Sequence, residues 1–322
     1  MSPRLSVLDR SHLRVGGNAQ DALRETVRFA QEVERLGYHR FWVAEHHGVP
    51  GVAGAAPTVL ASAVAAATSR IRVGSGGVML PNHQPLVVAE QFGVLASLFG
   101  DRVDVGLGRS LGFTGAIRKA LAAEDASRFT EQLADLLAYL DGGIGGVHAV
   151  PAEGLDLPVF VLATRNATSA AELGLPLVIA SPLGEQQVLR TIDDYRQNFR
   201  PSRRAEEPYV VLARSVAVAD TTEDARRLLV PEAWAGVWSR TRGEFPPLED
   251  PDRVLAREMT DRERTHFTRA VRGHTYGTPD DVAPALEDLL ATTAADELLV
   301  TTTGHDQDER LRSYRLLAEL TA

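Results

Sequence analysis

The 322-residue chain contains no cysteine, which excludes disulfides, thiolate metal sites and cysteine nucleophiles. Lysine is nearly absent, because Lys119 in a polar stretch is the sole example and a weak candidate for Schiff-base chemistry. Aromatic residues make up only 6%, so alanine, valine and leucine must fill most of the interior. These absences leave histidine, arginine and backbone groups as the main candidates for a functional site.

Long apolar runs are missing too. No run reaches the roughly 18 residues of a membrane span, and the N-terminal segment has no apolar signal region. The formal net charge of −9 argues against nucleic acid or an anionic membrane as partner, so an anionic ligand would need a local cationic site. With 44% hydrophobic and 24% charged residues, we expect a soluble cytoplasmic protein with a substantial core.

Short strand-like runs alternate with helical patterns along the chain. This alternation indicates parallel βαβ units, and eight of them favour a closed (β/α)8 TIM barrel, with an open doubly wound sheet as the alternative. No Gly-x-Gly-x-x-Gly loop follows the first run, which weakens the dinucleotide-binding alternative further. The predicted strands are residues 5–8, 40–44, 71–75, 103–107, 159–162, 177–180, 209–218 and 298–301.

Residues 231–275 interrupt this rhythm between strands 7 and 8 of the predicted single domain, residues 1–322. The stretch contains Trp234, Trp238 and many charges. Insertions after barrel strands lie at the carboxyl rim, where active sites form. We therefore predict a lid over the active site, and a surface excursion without a catalytic role is the alternative.

Glu45, His46 and His47 directly follow the second predicted strand. Histidine titrates near neutrality and can act as a general acid or base. Surface histidines, core histidines and a metal site are the alternatives. Adjacent side chains at a strand end point in opposite directions, so both histidines cannot easily bind one ion. No second carboxylate–histidine cluster follows another strand, and we predict one histidine facing the cavity and no metal.

The next strand ends carry further polar or open features. Ser75, Gly76 and Gly77 follow the third strand, where exposed backbone suits a flat ligand and a tight turn is the alternative. Arg109 follows the fourth and suits a phosphate, with a rim salt bridge as the alternative. The fifth strand is followed, at the predicted start of a helix, by hydroxyl and amide side chains: Thr164, Asn166 and Thr168. These groups suit an anion site at the helix N-terminus, and simple helix capping is the alternative.

One ligand with a phosphate tail and a planar head would use all of these groups. Several segments, taken in their order along the chain, resemble segments of bacterial luciferase and its flavin monooxygenase relatives. Within that family, the chain most resembles the oxygenases that modify polyketides. The matching segments are residues 41–47, 73–83, 89–92, 106–109, 174–176 and 276–279.

The resemblance implies a TIM barrel that binds reduced FMN, often as a homodimer. It places His46 beside the flavin C4a adduct as the catalytic histidine, Gly76–Gly77 at a non-proline cis peptide, and Arg109 at the phosphate. Thr164, Asn166 and Thr168 would lie near the phosphate as well. Ser75 belongs to the same cofactor segment as Gly76.

The resemblance further implies that a separate NAD(P)H-flavin reductase supplies FMNH2, which reacts with O2 to form a C4a-(hydro)peroxide. One oxygen atom then enters a small organic substrate, such as an aromatic polyketide intermediate in antibiotic biosynthesis. An F420-dependent oxidoreductase and a non-catalytic flavin-binding protein on the same barrel are the alternatives. A metal-dependent barrel hydrolase ranks lower, because the paired histidines of its first strand are missing.

Overall fold

A computed structural model describes residues 4–180 and 184–321. All eight predicted strands are present, with ends within about two residues of the expected ones, except that the seventh is divided in two. The strands are β1 (Arg4–Asp9), β2 (Arg40–Val43), β3 (Arg72–Ser75), β4 (Val78–Met79), β5 (Val103–Gly108), β6 (Val159–Ala163), β7 (Leu177–Ile179), β8 (Val210–Arg214), β9 (Val216–Val218), β10 (Thr275–Gly277) and β11 (Glu297–Val300).

Helices separate these strands, and their ends follow local signals. Asn18 caps the first helix, and Pro57 and Pro85 open the next two, where the missing N–H costs nothing. The helices are α1 (Ala19–Arg35), α2 (Pro57–Ala67), α3 (Pro85–Phe99), α4 (Gly115–Ala120), α5 (Phe129–Asp141), α6 (Thr168–Glu172), α7 (Glu185–Asn198), α8 (Thr222–Arg242), α9 (Pro251–Leu255), α10 (Asp261–Arg272), α11 (Pro279–Thr293) and α12 (Gln307–Leu320).

The chain folds into two compact units. The unit of residues 40–48 and 54–211 is termed the site unit. Its strands pair in parallel, in the order β2–β3–β5–β6–β7, and β4 continues beside the end of β5. Because the strands are parallel, their carboxyl ends share one edge.

At the opposite, amino edge of the site unit, a buried carboxylate joins three strands. Asp104 accepts hydrogen bonds from Arg40 at 2.8 Å, from Trp42 Nε1 at 3.0 Å and from Arg72 at 2.6 Å. Its side chain is 0% exposed and that of Arg40 is 7% exposed. Such a network at the amino face of barrel strands serves stability.

The second unit comprises Val49–Ala53 and the described residues up to His39 and from Leu212 onward. There β1 pairs in parallel with β11, with Leu5 opposite Leu298 and Val7 opposite Val300. Pairing of the first strand with the last is the step that closes a barrel. Together with the β/α alternation and the parallel order, it identifies the fold as the predicted (β/α)8 TIM barrel.

The predicted strand 209–218 breaks at Ser215. β8 ends at Arg214, and β9 pairs instead with β10 in a separate two-stranded sheet. Side chains fix this change of partner, because Val216 N–H donates to Thr302 Oγ1 at 2.7 Å and Val218 N–H donates to Ser313 Oγ at 2.8 Å. The apolar run alone carries no sign of the division.

Residues 231–275 are largely helical rather than an irregular loop. α8 continues through Pro231, and α9 and α10 follow it. Trp234 is 2% exposed and packs edge-on against Trp238 with ring centroids 6.1 Å apart. The stretch thus has its own apolar cluster with Phe267. Among the described residues, no helix combines the length and apolar character that crossing a membrane requires.

Candidate active site

The predicted site residues of the site unit follow neighbouring strands. His46 comes after β2, Gly76–Gly77 after β3, Arg109 after β5 and Thr164 after β6. The parallel order β2–β3–β5–β6 brings these positions to the same edge in this sequence. This is the carboxyl edge, where barrel enzymes bind their ligands.

A buried carboxylate also organises this edge. The Glu45 side chain is 0% exposed, and its Oε1 accepts hydrogen bonds from His47 Nε2 at 2.6 Å and from His83 Nε2 at 2.8 Å. The other oxygen, Oε2, accepts the Met79 backbone N–H at 2.9 Å, which ties the end of β2 to β4. We name Glu45, His47 and His83 the carboxylate–histidine cluster.

The charge of Glu45 is favoured by these contacts. Burial alone would raise its pKa, but the hydrogen bonds from His83, His47 and Met79 N–H outweigh burial, so the pKa lies below its ordinary value. An ionised carboxylate only accepts hydrogen bonds, and each neutral imidazole must therefore carry its proton on Nε2. Neither Nδ1 bonds to another described residue.

That one of the two histidines faces the cavity remains a prediction, but the structure shows different contacts for them. His47 turns to Glu45, whereas His46 lies outside the cluster and donates its backbone N–H to Gly54 O at 2.8 Å. The argument against a metal site was wrong in one respect, because a second histidine does reach Glu45 from another strand end. His83 lies 38 residues further along the chain. The ligand atoms of the cluster all lie within 4.8 Å of one another.

The Gly76–Gly77 peptide bond is cis, as the resemblance implies. The interpretation of the glycines as open backbone for a ligand needs correction at Gly74 and Gly77. Close contact between the strands already requires residues without a side chain at these positions. A Cβ on Gly77 would meet Gly106 O at 2.8 Å, and one on Gly74 would meet Asp104 O at 2.3 Å. Close packing of β3 and its continuation on β5 therefore accounts for part of the glycine pattern.

Ser75 has its hydroxyl engaged inside the sheet. The residue is 0% exposed, its Oγ donates to Gly106 O at 2.6 Å, and it accepts Gly106 N–H at 3.1 Å. These bonds join β3 to β5. Any contact of Ser75 with a cofactor is therefore restricted to its backbone.

Arg109 is exposed at the end of β5. Among the described residues, no carboxylate pairs with it and no side-chain hydrogen bond engages it, so the alternative of a rim salt bridge is not observed. A guanidinium left open at this edge can bind a phosphate through two parallel hydrogen bonds. The negative total charge of the chain makes such a local cation more significant.

Thr164, Asn166 and Thr168 are all exposed after β6. Asn166 Oδ1 accepts the Thr168 backbone N–H at 2.8 Å in a turn just before the helix, whose N-cap residue, Ala167, makes no side-chain capping bond. α6, which begins at Thr168, has only five residues, so its dipole adds little to an anion site. The Thr164 hydroxyl has no protein partner among the described residues.

Asn82 is a further candidate that the sequence did not single out. Both of its amide atoms are buried without a hydrogen-bond partner. It lies in a short 3-10 turn, Leu80–Asn82, beside His83. Buried amides are nearly always paired, so Asn82 is suited to contact a bound molecule.

Solved structures of known proteins share this fold. The structure of apo-MsnO8 is 33% identical with a TM-score of 0.87, covering 99% of this chain and 98% of that one. Two more distant structures show the fold alone. The oxygenating constituent of 3,6-diketocamphane monooxygenase from Pseudomonas putida, in complex with FMN, has a TM-score of 0.73. The F420-dependent tetrahydromethanopterin reductase of Methanopyrus kandleri also has 0.73.

Sequence comparison gives the family. A luciferase-like monooxygenase of Escherichia coli strain K12 is 36% identical over 322 residues, spanning 98% of this chain and 96% of that protein. The N-acetyl-S-alkylcysteine monooxygenase of Bacillus subtilis strain 168 is 34% identical over 337 residues, spanning 98% and 97%. The family model described as luciferase-like monooxygenase matches residues 4–297. The chain therefore belongs to the luciferase-like monooxygenase family.

Proposed function

We propose that this chain is an FMNH2-dependent monooxygenase that transfers one oxygen atom of O2 to a small organic substrate. The observation that carries the proposal is the succession of His46, Gly76–Gly77 and Arg109 along one edge of the site unit. Family membership supports it, and so does a protein of the same fold in complex with FMN.

The residues at this edge fit a flavin nucleotide. Arg109 offers a guanidinium that no described carboxylate neutralises, which suits the phosphate. Asn82 offers one buried donor and one buried acceptor without partners, which suits the polar edge of a ring system. When bound, reduced FMN supplies the electrons that activate O2.

His46 is the proposed general acid and base at the reacting centre. The carboxylate–histidine cluster positions the neighbouring imidazole, because Glu45 anchors both His47 and the backbone of Met79. Val43, the last residue of β2, and Leu80, directly after β4, are fully buried apolar residues that keep water from this end of the strands.

Reduced flavin must reach the enzyme from a separate NAD(P)H-flavin reductase, and we propose a homodimer as the working assembly. Residues 231–275 are the proposed lid. Their apolar cluster around Trp234 would let α8, α9 and α10 move together rather than as independent loops.

The substrates to be tested follow from the activities of named relatives. A thioether such as an N-acetyl-S-alkylcysteine comes first, because the relative that oxygenates this class is 34% identical over 98% of the chain. An aromatic polyketide intermediate comes second, since the 4-hydroxyprotoasukamycin monooxygenase of Streptomyces nodosus is 27% identical over 91%.

The test combines purified protein with FMN, a flavin reductase, NADH and 18O2, and follows each substrate by mass spectrometry. We expect one 18O atom per product molecule, and a loss of about 100-fold or more in the His46→Ala variant. His148→Ala serves as the matched control, because His148 is an exposed histidine that also contacts a carboxylate, Glu153.

Two results would overturn the proposal. Tight binding of F420 with hydride transfer, and no 18O incorporation with FMN, would establish the F420-dependent oxidoreductase. Flavin binding without turnover of any substrate class would establish a non-catalytic flavin-binding protein. Full oxygenation by His46→Ala would remove that histidine from the scheme while leaving the oxygenase assignment in place.

A further inference from the structure

The carboxylate–histidine cluster contains three ligand atoms of the kinds that transition metals prefer. Glu45 Oε1, His47 Nε2 and His83 Nε2 all lie within 4.8 Å of one another. The carboxylate is fully buried, while the histidine side chains are 20% and 31% exposed. An ion can therefore reach the cluster from the histidine side.

We propose that Glu45, His47 and His83 bind one divalent transition-metal ion of the Zn²⁺ and Co²⁺ class, with water completing its coordination. Two imidazoles and one carboxylate with an open position form a recurring donor set for such ions. This inference does not rest on the proposed function, because metal binding is a property of the chain without flavin or substrate.

The distances require only a small rearrangement. Ligand atoms bound to one tetrahedral ion at about 2.0–2.1 Å lie roughly 3.3 Å apart. The present separations from Glu45 Oε1 are 2.6 Å to His47 and 2.8 Å to His83. Each ring would move outward by roughly half an ångström, which partly exposed side chains can do.

The carboxylate is already prepared for binding through one oxygen. Oε2 of Glu45 accepts the Met79 backbone N–H at 2.9 Å, so Oε1 alone faces both imidazoles. Such an outer hydrogen bond orients a ligating carboxylate. The metal replaces the two Nε2 protons, and each neutral ring then carries its proton on Nδ1, which bonds to no other described residue.

The donor set also predicts selectivity. Mg²⁺ and Ca²⁺ prefer oxygen ligands only, and the cluster offers two nitrogens beside one oxygen. His46 is not part of the set, so the ion and the proposed catalytic histidine remain separate groups.

The experiment titrates untagged, metal-free protein, without flavin, with Co²⁺ while the visible absorption is recorded, and then displaces Co²⁺ with Zn²⁺. We expect one equivalent to bind with the absorption of a four- or five-coordinate site, and no competition by millimolar Mg²⁺. His83→Ala and His47→Ala should each weaken Co²⁺ binding by about 100-fold or more. This is a larger loss than removal of a group that only hydrogen-bonds to a metal ligand would cause.

His148→Ala is the control, because His148 Nδ1 lies 2.7 Å from Glu153 in an exposed pair with one histidine fewer. Thermal unfolding of each variant shows that it is folded, and His83→Gln provides a second variant of similar size. Absence of Co²⁺ binding by the wild type overturns the proposal. Binding that survives both His47→Ala and His83→Ala overturns it as well, by showing that other histidines hold the ion.

Discussion

Two fully buried carboxylates lie at opposite edges of the same parallel strands. Asp104, at the amino edge, is surrounded by Arg40, Arg72 and the Trp42 indole N–H. Glu45, at the carboxyl edge, is surrounded by His47, His83 and a backbone N–H. Both side chains are 0% exposed, so burial does not distinguish them.

The difference lies in the partners. Arginine never loses its proton in proteins, so the Asp104 network is a permanent ion cluster that serves folding. Histidine gains and loses a proton near neutrality and offers a lone pair to a metal or substrate. The exposed fractions of the partners distinguish the clusters less clearly, because Arg40 is 7% and His83 31% exposed, whereas Arg72 at 21% is close to His47 at 20%. These partners suit the amino edge to stability, and we propose that the carboxyl edge serves chemistry.

The largest effect is expected at the amino edge. Asp104→Asn should lower the free energy of unfolding by about 3–5 kcal/mol, because the buried charge of Arg40 and the neighbouring charge of Arg72 both lose this carboxylate. Urea denaturation measures the change. Asp220→Asn, which removes an exposed pair with Arg312, should cost far less. Equal losses in the two variants would show that the Asp104 network adds no more stability than an exposed ion pair.

Glu45→Gln should act mainly on chemistry. We expect oxygenation by the folded protein to fall by about 10–100-fold, because His47 and His83 lose the acceptor that fixes their orientation. Stability should fall by only about 1.5–3 kcal/mol, the scale of a hydrogen bond to a charged group. Steady-state turnover and urea denaturation separate the two. A larger stability loss than in Asp104→Asn, with normal turnover, would make Glu45 a purely structural residue.

Arg109, unlike Arg40, has no carboxylate partner among the described residues. Arg109→Gln should weaken FMN binding about tenfold, or about 1.4 kcal/mol, through loss of the phosphate contact. Riboflavin, which lacks the phosphate, should bind both proteins equally. Anaerobic titration of reduced FMN and riboflavin measures both affinities, with Arg190→Gln, which alters an exposed arginine of α7 outside the proposed site, as control. Equal weakening for both flavins would place the phosphate elsewhere.

The smallest effect concerns His274, in the other unit. Its pKa is lowered by burial first; Glu232 acts in the opposite direction, and Arg214 and Arg10 lower it further. Glu232 is already paired with Arg10 at 2.6 Å, so it stabilises an imidazolium less than Glu45 can.

Its consequence is a modest dependence of stability on pH. The unfolded chain takes up a proton near the ordinary value of 6.5, before the folded protein does, so stability should decrease as the pH falls from 6.5 towards the lower folded pKa. His274→Gln should flatten this decrease, as urea denaturation between pH 7 and 5 can measure, and His148→Gln should not. An unchanged slope would assign the decrease to other groups.

Much of the architecture was predictable from the sequence, because it depends on local patterns. Alternating apolar runs and helix signals placed all eight strands of the barrel, and adjacency to strand ends selected His46 and Arg109. The run 209–218 was misjudged because a change of hydrogen-bond partner at Ser215 leaves no trace in hydrophobicity. The helices within 231–275 were missed for a related reason: apart from Trp234 and Trp238, their apolar positions are sparse among charges.

Short-range patterns in the sequence were enough to predict the barrel, the family and the edge that carries the proposed site, because they set the order and direction of the strands. Which side chains meet depends on the tertiary structure. His83 joins Glu45 across 38 residues, the Ser75 hydroxyl donates to Gly106 O, and Asn166 Oδ1 accepts the backbone N–H of Thr168. Such contacts depend on how parallel strands bring distant residues together, and residue spacing does not encode them.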